Sequence, residues 1–179
     1  MRIVAGAYRG RRIEAPRGRA TRPTSDRVRE ALFSILGAAG VEGARVLDLF
    51  AGSGALGIEA LSRGASEAVF VDSDERAVAA VRANLETLGI DARVHRRDAF
   101  SWLESAARGE EPFDLVFADP PYSSASRTAG RLSELLPPLL TETSVTVTES
   151  DKRDPLLLTL PLVDERTYGD TRIAIHRGV

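Results

Sequence analysis

Two short segments hold the residues best able to do chemistry, and each follows a buried, strand-like run. In the first, Val46-Leu47-Asp48-Leu49-Phe50 leads into Ala51-Gly52-Ser53-Gly54-Ala55-Leu56-Gly57. Glycines at 52 and 54 allow a sharp turn and a close approach of the backbone to a ligand, and a helix opening after Gly54 presents unpaired N–H groups to a carboxylate or phosphate. Gly52-x-Gly54-x-x-Gly57 also satisfies the dinucleotide fingerprint, and Asp72 ends the next strand where either kind of cofactor places its ribose hydroxyls, so the spacing alone leaves the two open. Asp98 follows a third strand. Its carboxylate could accept from an adenine amino group, or it could cap the helix beginning near Ala99. The second segment is Asp119-Pro120-Pro121-Tyr122, delivered by the apolar run Phe113–Ala118. An exocyclic base amine is a poor nucleophile because its lone pair is delocalised into the ring. Two acceptors aimed at its hydrogens favour the geometry in which nitrogen attacks a methyl group. The Asp119 carboxylate and the Pro120 carbonyl have that character, the proline rings restrict the backbone that aims them, and acceptors placed in advance need no reorganisation during reaction. Tyr122 adds a flat face for a base turned out of its stack.

These loops need elements to position them. From Arg45 onward strand and helix patterns alternate, with strands expected near 45–49, 68–72, 92–96, 113–118 and 144–149 and helices near 54–63, 75–88, 99–108 and 127–136. Such alternation predicts an α/β fold with a parallel, doubly wound sheet, whose ligands bind at the carboxyl ends of the strands. Segments 164–169 and 171–176, joined at Gly169-Asp170, predict a hairpin that adds an antiparallel edge. Ahead of the sheet, Thr24-Ser25-Asp26 can cap a helix whose apolar face is Val28, Ala31, Leu32, Ile35 and Leu36, ending at Gly37 or Gly40. Ile3–Ala5 and Arg12–Ala15 read as a small β-hairpin followed by a proline-bounded linker, which divides the chain into a basic extension, 1–22, and a main domain, 23–179.

With 179 residues, 43% of them hydrophobic and 28% charged, the chain has the material for one globular domain and a short appendage. The absence of cysteine excludes disulfides and thiolate metal sites. His95 and His176 stand apart from any second ligand, so no metal is expected, and Trp102 and Phe100 read as packing residues. The amino terminus is basic without the apolar core of a signal peptide, and the longest apolar stretch, Leu156–Val163, is broken by Pro161; a soluble cytoplasmic protein is expected, with no membrane partner. The net charge is −2, but residues 1–29 carry nine arginines against Glu14 and Asp26. A basic arm on an acidic body points to a polyanion held at one end of the molecule.

Leu47-Asp48-Leu49-Phe50-Ala51-Gly52-Ser53-Gly54 resembles the cofactor loop of class I methyltransferases, and Asp119-Pro120-Pro121-Tyr122 resembles their amine-methylating loop, which dehydrogenases lack. That loop occurs in enzymes acting on adenine, guanine or cytosine amines and on glutamine side chains, so it names a reaction and not a substrate. Arg2-Ile3-Val4-Ala5-Gly6, Tyr8-Arg9-Gly10-Arg11-Arg12 and Thr21-Arg22-Pro23-Thr24-Ser25-Asp26-Arg27-Val28-Arg29-Glu30-Ala31-Leu32-Phe33 narrow the choice. Over nearly the whole chain the sequence resembles the bacterial 16S ribosomal RNA (guanine-966-N2)-methyltransferase family. The resemblance implies a Rossmann-like, seven-stranded, mostly parallel sheet with helices on both faces. It implies S-adenosylmethionine as methyl donor and one guanine of small-subunit ribosomal RNA as acceptor, met in the 30S subunit or a late assembly intermediate by a monomeric enzyme. Asp48, Ala51, Gly52, Ser53 and Gly54 would hold the methionine part, with Thr24 approaching its carboxylate. Asp72 would hold the ribose, Asp98 with Ala99 the adenine, and Ser73 would line the adenine pocket at a position that is often bulkier in the family. Asp119, Pro120, Pro121 and Tyr122 would form the catalytic loop. Tyr8, Arg9, Arg11, Arg12, Arg22, Arg27 and Arg29 are the candidates for RNA contact, Tyr8 by stacking and the arginines on phosphates. Two other readings share parts of this pattern: an adenine-N6 nucleic-acid methyltransferase, which should carry a separate base-reading domain, and a non-catalytic RNA-binding protein of ribosome assembly.

Overall fold

A computed structural model of the protein describes residues 1–16, 26–121 and 125–178. The alternating pattern becomes α1 (Asp26–Leu36), β1 (Arg45–Leu49), α2 (Ala55–Ser62), β2 (Glu67–Asp72), α3 (Glu75–Leu88), β3 (Arg93–Arg96), α4 (Ala99–Ala106), β4 (Phe113–Ala118), α5 (Ala125–Leu135), a 3₁₀ turn at Pro137–Leu139, then β5 (Leu140–Asp151), β6 (Leu162–Tyr168) and β7 (Thr171–Arg177). Strands β1, β2 and β4 are apolar on successive residues, so both faces need cover. One face is closed by α1, α2 and α3, through Leu32, Phe33, Ile58, Val81 and Leu85 against Val46, Phe70, Phe117 and Val147. The other is closed by α4 and α5, through Trp102, Leu103, Ala129 and Leu132 against Leu47, Leu49, Val69 and Val116.

The seven strands lie in the order β3-β2-β1-β4-β5-β7-β6. Strands β1 to β5 run parallel to one another, and β7 runs antiparallel to both β5 and β6. Successive connections from β1 lead outward through β2 to β3, and the chain then returns to place β4 on the other flank of β1. That reversal opens a crevice at the carboxyl ends of β1 and β4, where the two loops emerge.

The carboxy-terminal hairpin supplies the expected antiparallel edge, with β7 paired to β5 and β6 outermost. Arg172 to His176 are buried and β7 is largely apolar in the middle, whereas β6 carries Asp164, Glu165 and Arg166 and is mostly exposed, so β6 takes the solvent edge. At the other end of the chain the expected small hairpin is present in short form: Arg2 and Arg12 make an antiparallel bridge, Ile3 N donates to the Arg11 carbonyl at 3.0 Å, Gly10 N to the Ile3 carbonyl at 2.8 Å and Ile13 N to the Met1 carbonyl at 3.1 Å, while other N–H groups of the segment turn to α2. Val4 N and Ala5 N donate to the two carboxylate oxygens of Glu59 at 2.8 and 3.0 Å, Ala7 N donates to the Ser62 carbonyl at 2.7 Å, and Tyr8 N to Ser62 Oγ at 3.0 Å. Ile3 and Ile13 enter the same core as α1, so the segment is packed on the domain and does not project from it. Among the described residues no helix is long and apolar enough to cross a membrane.

Candidate active site

After β1 the backbone changes hand three times, at Phe50 (φ 59°), Gly52 (φ 58°) and Gly54 (φ 76°). At Phe50, a non-glycine residue, this conformation costs roughly 1–3 kcal/mol, and the ring is anchored edge-to-face on Phe100, with centroids 6.2 Å apart. Gly54 caps α2 with no side-chain hydrogen bond, which leaves first-turn N–H groups for a ligand. A Cβ on Gly57 would lie 2.4 Å from the Phe70 ring, so only glycine lets α2 settle against β2 and donate its N–H to Asp48 Oδ2 at 2.9 Å. Asp72 Oδ2 accepts from Gly52 N at 2.9 Å, while its Oδ1 accepts from Asp74 N at 2.8 Å. Asp72 therefore braces the glycine loop from the neighbouring strand. A buried carboxylate, left-handed glycines and an uncapped helix start together suit a ligand with a cationic centre, a carboxylate and a ribose, which is what S-adenosylmethionine would require.

Register explains how the acids converge. Asp48 lies opposite Phe70 on β2 and Phe117 on β4, and Phe117 lies opposite Val147 on β5. Side chains alternate along a strand, so Asp72, Asp119 and Glu149, each two positions further along, leave the sheet on the face that bears Asp48. The result is a row of carboxylates across β2, β1, β4 and β5. Burial pushes the Asp48 carboxyl up to about 7, against the lowering effect of the Gly57 hydrogen bond and with a further push from Asp72. Burial, then the charges of Glu149 and Asp48, push the Asp119 carboxyl well above the ordinary carboxylate range. Asp119 keeps part of its surface in solvent, and the effect of burial arises from the protein packed around its carboxyl group. Among the described residues none donates a hydrogen bond to Asp119. Pro120 is buried beside it and Pro121 is exposed.

The remaining predicted residues fall into three groups. Ala51, Gly52, Ser53 and Gly54 line the loop, Ser73 is exposed just beyond β2, and Ala99 is buried at the start of α4. Asp98 takes the helix-cap role, accepting from Ser101 N at 2.9 Å through Oδ1. Arg9, Arg11, Arg12 and Arg27 are exposed and Tyr8 is half-buried against the core. Arg11 also donates to the Thr87 carbonyl at 2.8 Å. Tyr122, Arg22 and Thr24 lie outside the described residues.

Arg29 is a correction. It is 0% exposed and pairs with Asp26 at 2.9 Å and with Glu59, itself 1% exposed, at 3.8 Å, while donating to the Arg2 carbonyl, so it is unavailable to RNA. The helix α1 buries the stripe Arg29, Leu32 and Phe33, and Ile35 is left 38% exposed. Glu59 also pairs with Arg63 at 2.8 Å, whose guanidinium lies over the Phe33 ring. Glu149, Glu59 and Asn84 were not expected to matter. Glu149 carried a usable signal, since it stands at the carboxyl end of a strand as Asp72 and Asp98 do. Glu59 gave none, being one glutamate in a short helix. His95 tilts against Trp102 and His176 Nδ1 faces the Leu160 carbonyl at 3.1 Å, both structural placements. Among the described residues no group of His, Asp and Glu could hold a metal ion.

Fold and site together define a class I, Rossmann-like methyltransferase. The family model described as Conserved hypothetical protein 95 matches residues 1–177, and the chain belongs to that family. It is 42% identical over 184 residues to the Bacillus subtilis protein YlbH, to which an rRNA methyltransferase activity is ascribed, covering 99% of this chain and 98% of that one. It is 45% identical over 123 residues to the Ribosomal RNA small subunit methyltransferase D of Escherichia coli, covering 68% of this chain and 60% of that one. The solved structure of the Escherichia coli protein yhhF, also ascribed a methyltransferase activity, superposes with a TM-score of 0.81 at 34% identity, over 100% of this chain and 98% of that one.

Proposed function

We propose that the protein transfers a methyl group from S-adenosylmethionine to the exocyclic N2 amine of one guanine of 16S ribosomal RNA, guanine-966 in the family's usage, acting on the 30S subunit or a late assembly intermediate in the cytoplasm. The observation that carries the reading is the placement of Asp119 and Pro120 at the carboxyl end of β4, beside the glycine loop of β1, on a sheet of this strand order. Residues 1–22 serve as a basic extension to the methyltransferase domain, 23–179.

When bound, S-adenosylmethionine supplies an electrophilic methyl group on a sulfonium. Asp48 and the Ala51–Gly54 turn would hold its methionine part, Asp72 its ribose, and Asp98, Ala99 and Ser73 its adenine. Tyr122 supports the flipped guanine, while the Asp119 carboxylate and the Pro120 carbonyl accept from its two N2 hydrogens and turn the nitrogen lone pair toward the methyl group. As the new C–N bond forms and the C–S bond breaks, N2 acquires positive charge and must lose a proton. A carboxylate whose proton affinity is raised by burial and by Glu149 is a stronger acceptor for that proton. The chemistry is otherwise positional, since the acceptors are in place before substrate arrives.

The test is transfer of labelled methyl to 30S subunits that lack their own methylation, followed by nucleoside analysis. N2-methylguanosine is the expected product. N6-methyladenosine would replace the substrate assignment with the adenine reading, and no transfer to RNA would favour the binding-protein reading.

A further inference from the structure

Asn84, on α3, is 3% exposed, and its carboxamide is fully used. Its Oδ1 accepts from Glu14 N at 2.8 Å, and its Nδ2 donates to the Glu14 carbonyl and to the Ser53 carbonyl, each at 3.0 Å. A primary amide has two N–H donors, so both are committed. Glu14 belongs to the segment that displays Arg9, Arg11 and Arg12. Ser53 sits between the two left-handed glycines of the cofactor loop. Two further contacts tie the same parts together: Ser53 Oγ donates to Met1 Sδ at 3.7 Å, and Arg11 reaches the Thr87 carbonyl on α3, about one helical turn beyond Asn84. A shift of the segment relative to α3 would leave the buried Asn84 carboxamide unpaired, which is unfavourable, so segment, Asn84 and loop move together.

We propose that Asn84 is a positioning residue that couples RNA engagement by the amino-terminal segment to the geometry of the cofactor loop, so that RNA and S-adenosylmethionine tighten each other's binding. This rests on the reading of Arg9, Arg11 and Arg12 as RNA contacts. Coupling between two sites is reciprocal, so it can be read from either ligand.

The affinity of the full chain for unmethylated 30S subunits is measured by filter binding with and without saturating S-adenosylhomocysteine, which occupies the cofactor loop without turnover. Wild type should bind subunits roughly fivefold or more tightly with S-adenosylhomocysteine present. In Asn84→Ala that ratio should fall to near one, while affinity for subunits alone stays within about twofold, as expected once the coupling term is removed. Asn84→Asp keeps the side-chain volume and the acceptor for Glu14 N but loses both donations, and it should behave alike; thermal unfolding checks that each variant is folded. A wild-type ratio of one, or a wild-type ratio preserved in both folded variants, overturns the proposal. Unchanged subunit affinity when Arg9, Arg11 and Arg12 are all replaced by alanine would overturn the RNA-contact reading instead, and the coupling route with it.

Discussion

Replacing Asp48 by asparagine isolates the electrostatic load carried by the cofactor site. The buried carboxyl is raised from 3.8 to about 7, so the folded protein holds this proton more tightly than the unfolded chain does. Below pH 3.8 the group is protonated in both states and contributes no pH-dependent term. As pH rises from 3.8 to about 7 the unfolded chain ionises first, and stability is lost across that window until the folded carboxyl also ionises. At about 1.4 kcal/mol per unit the full loss is a little over about 4 kcal/mol. The carboxamide of the Asp48→Asn variant could still accept from Gly57 N but does not titrate. The stability of Asp48→Asn relative to wild type, from urea unfolding, should therefore climb by about 4 kcal/mol between pH 4 and pH 8, with midpoints shifted and slopes unchanged. A difference that stays flat across this range would refute the argument that burial outweighs the Gly57 hydrogen bond at Asp48.

Three other outcomes follow from the packing and the charge distribution. Arg29→Ala leaves Glu59 buried with one fewer counter-charge and should lower stability by about 3–5 kcal/mol in denaturant melts, far more than alanine at exposed Arg27. Gly57→Ala forces a methyl into the Phe70 ring and should lower stability by about 1–3 kcal/mol, with cofactor affinity falling as α2 moves off Asp48; calorimetric titration with S-adenosylhomocysteine reads the second effect. Alanine at Arg9, Arg11 and Arg12 together should weaken 30S binding and reduce the slope of log affinity against log salt by about 2, at roughly 0.7 per phosphate contact.

Periodicity placed most elements closely because strands β1, β2 and β4 are apolar runs between glycine, aspartate and proline signals, and helices α2 to α5 are long enough to show their repeat. Where the structure departs, a tertiary interaction has overridden a local pattern. Helix α1 turned Arg29 inward because buried Glu59 draws a counter-charge, a pairing thirty residues apart that no helical repeat displays. The amino-terminal hairpin stays short because the N–H groups of Val4, Ala5 and Tyr8 find partners on α2. The order of the final hairpin depended on which of two strands was apolar on both faces, a distinction visible in Ile173-Ala174-Ile175 against Asp164-Glu165-Arg166. In the site, Asp48, Asp72 and Asp119 were legible as acids ending strands. Glu149 joins them only once β5 is known to neighbour β4, and the left-handed turn at Phe50 leaves no mark in residue type.

The most direct test of the central claim, that the Asp119 loop is where the amine is activated, compares wild type, Asp119→Ala and Asp119→Asn for methyl transfer to unmethylated 30S subunits alongside S-adenosylhomocysteine affinity. The account predicts a fall in turnover of at least about 100-fold for both variants, the scale of a lost general base, with cofactor affinity changed far less. Turnover within a few fold of wild type in Asp119→Ala, with N2-methylguanosine still formed, would contradict it.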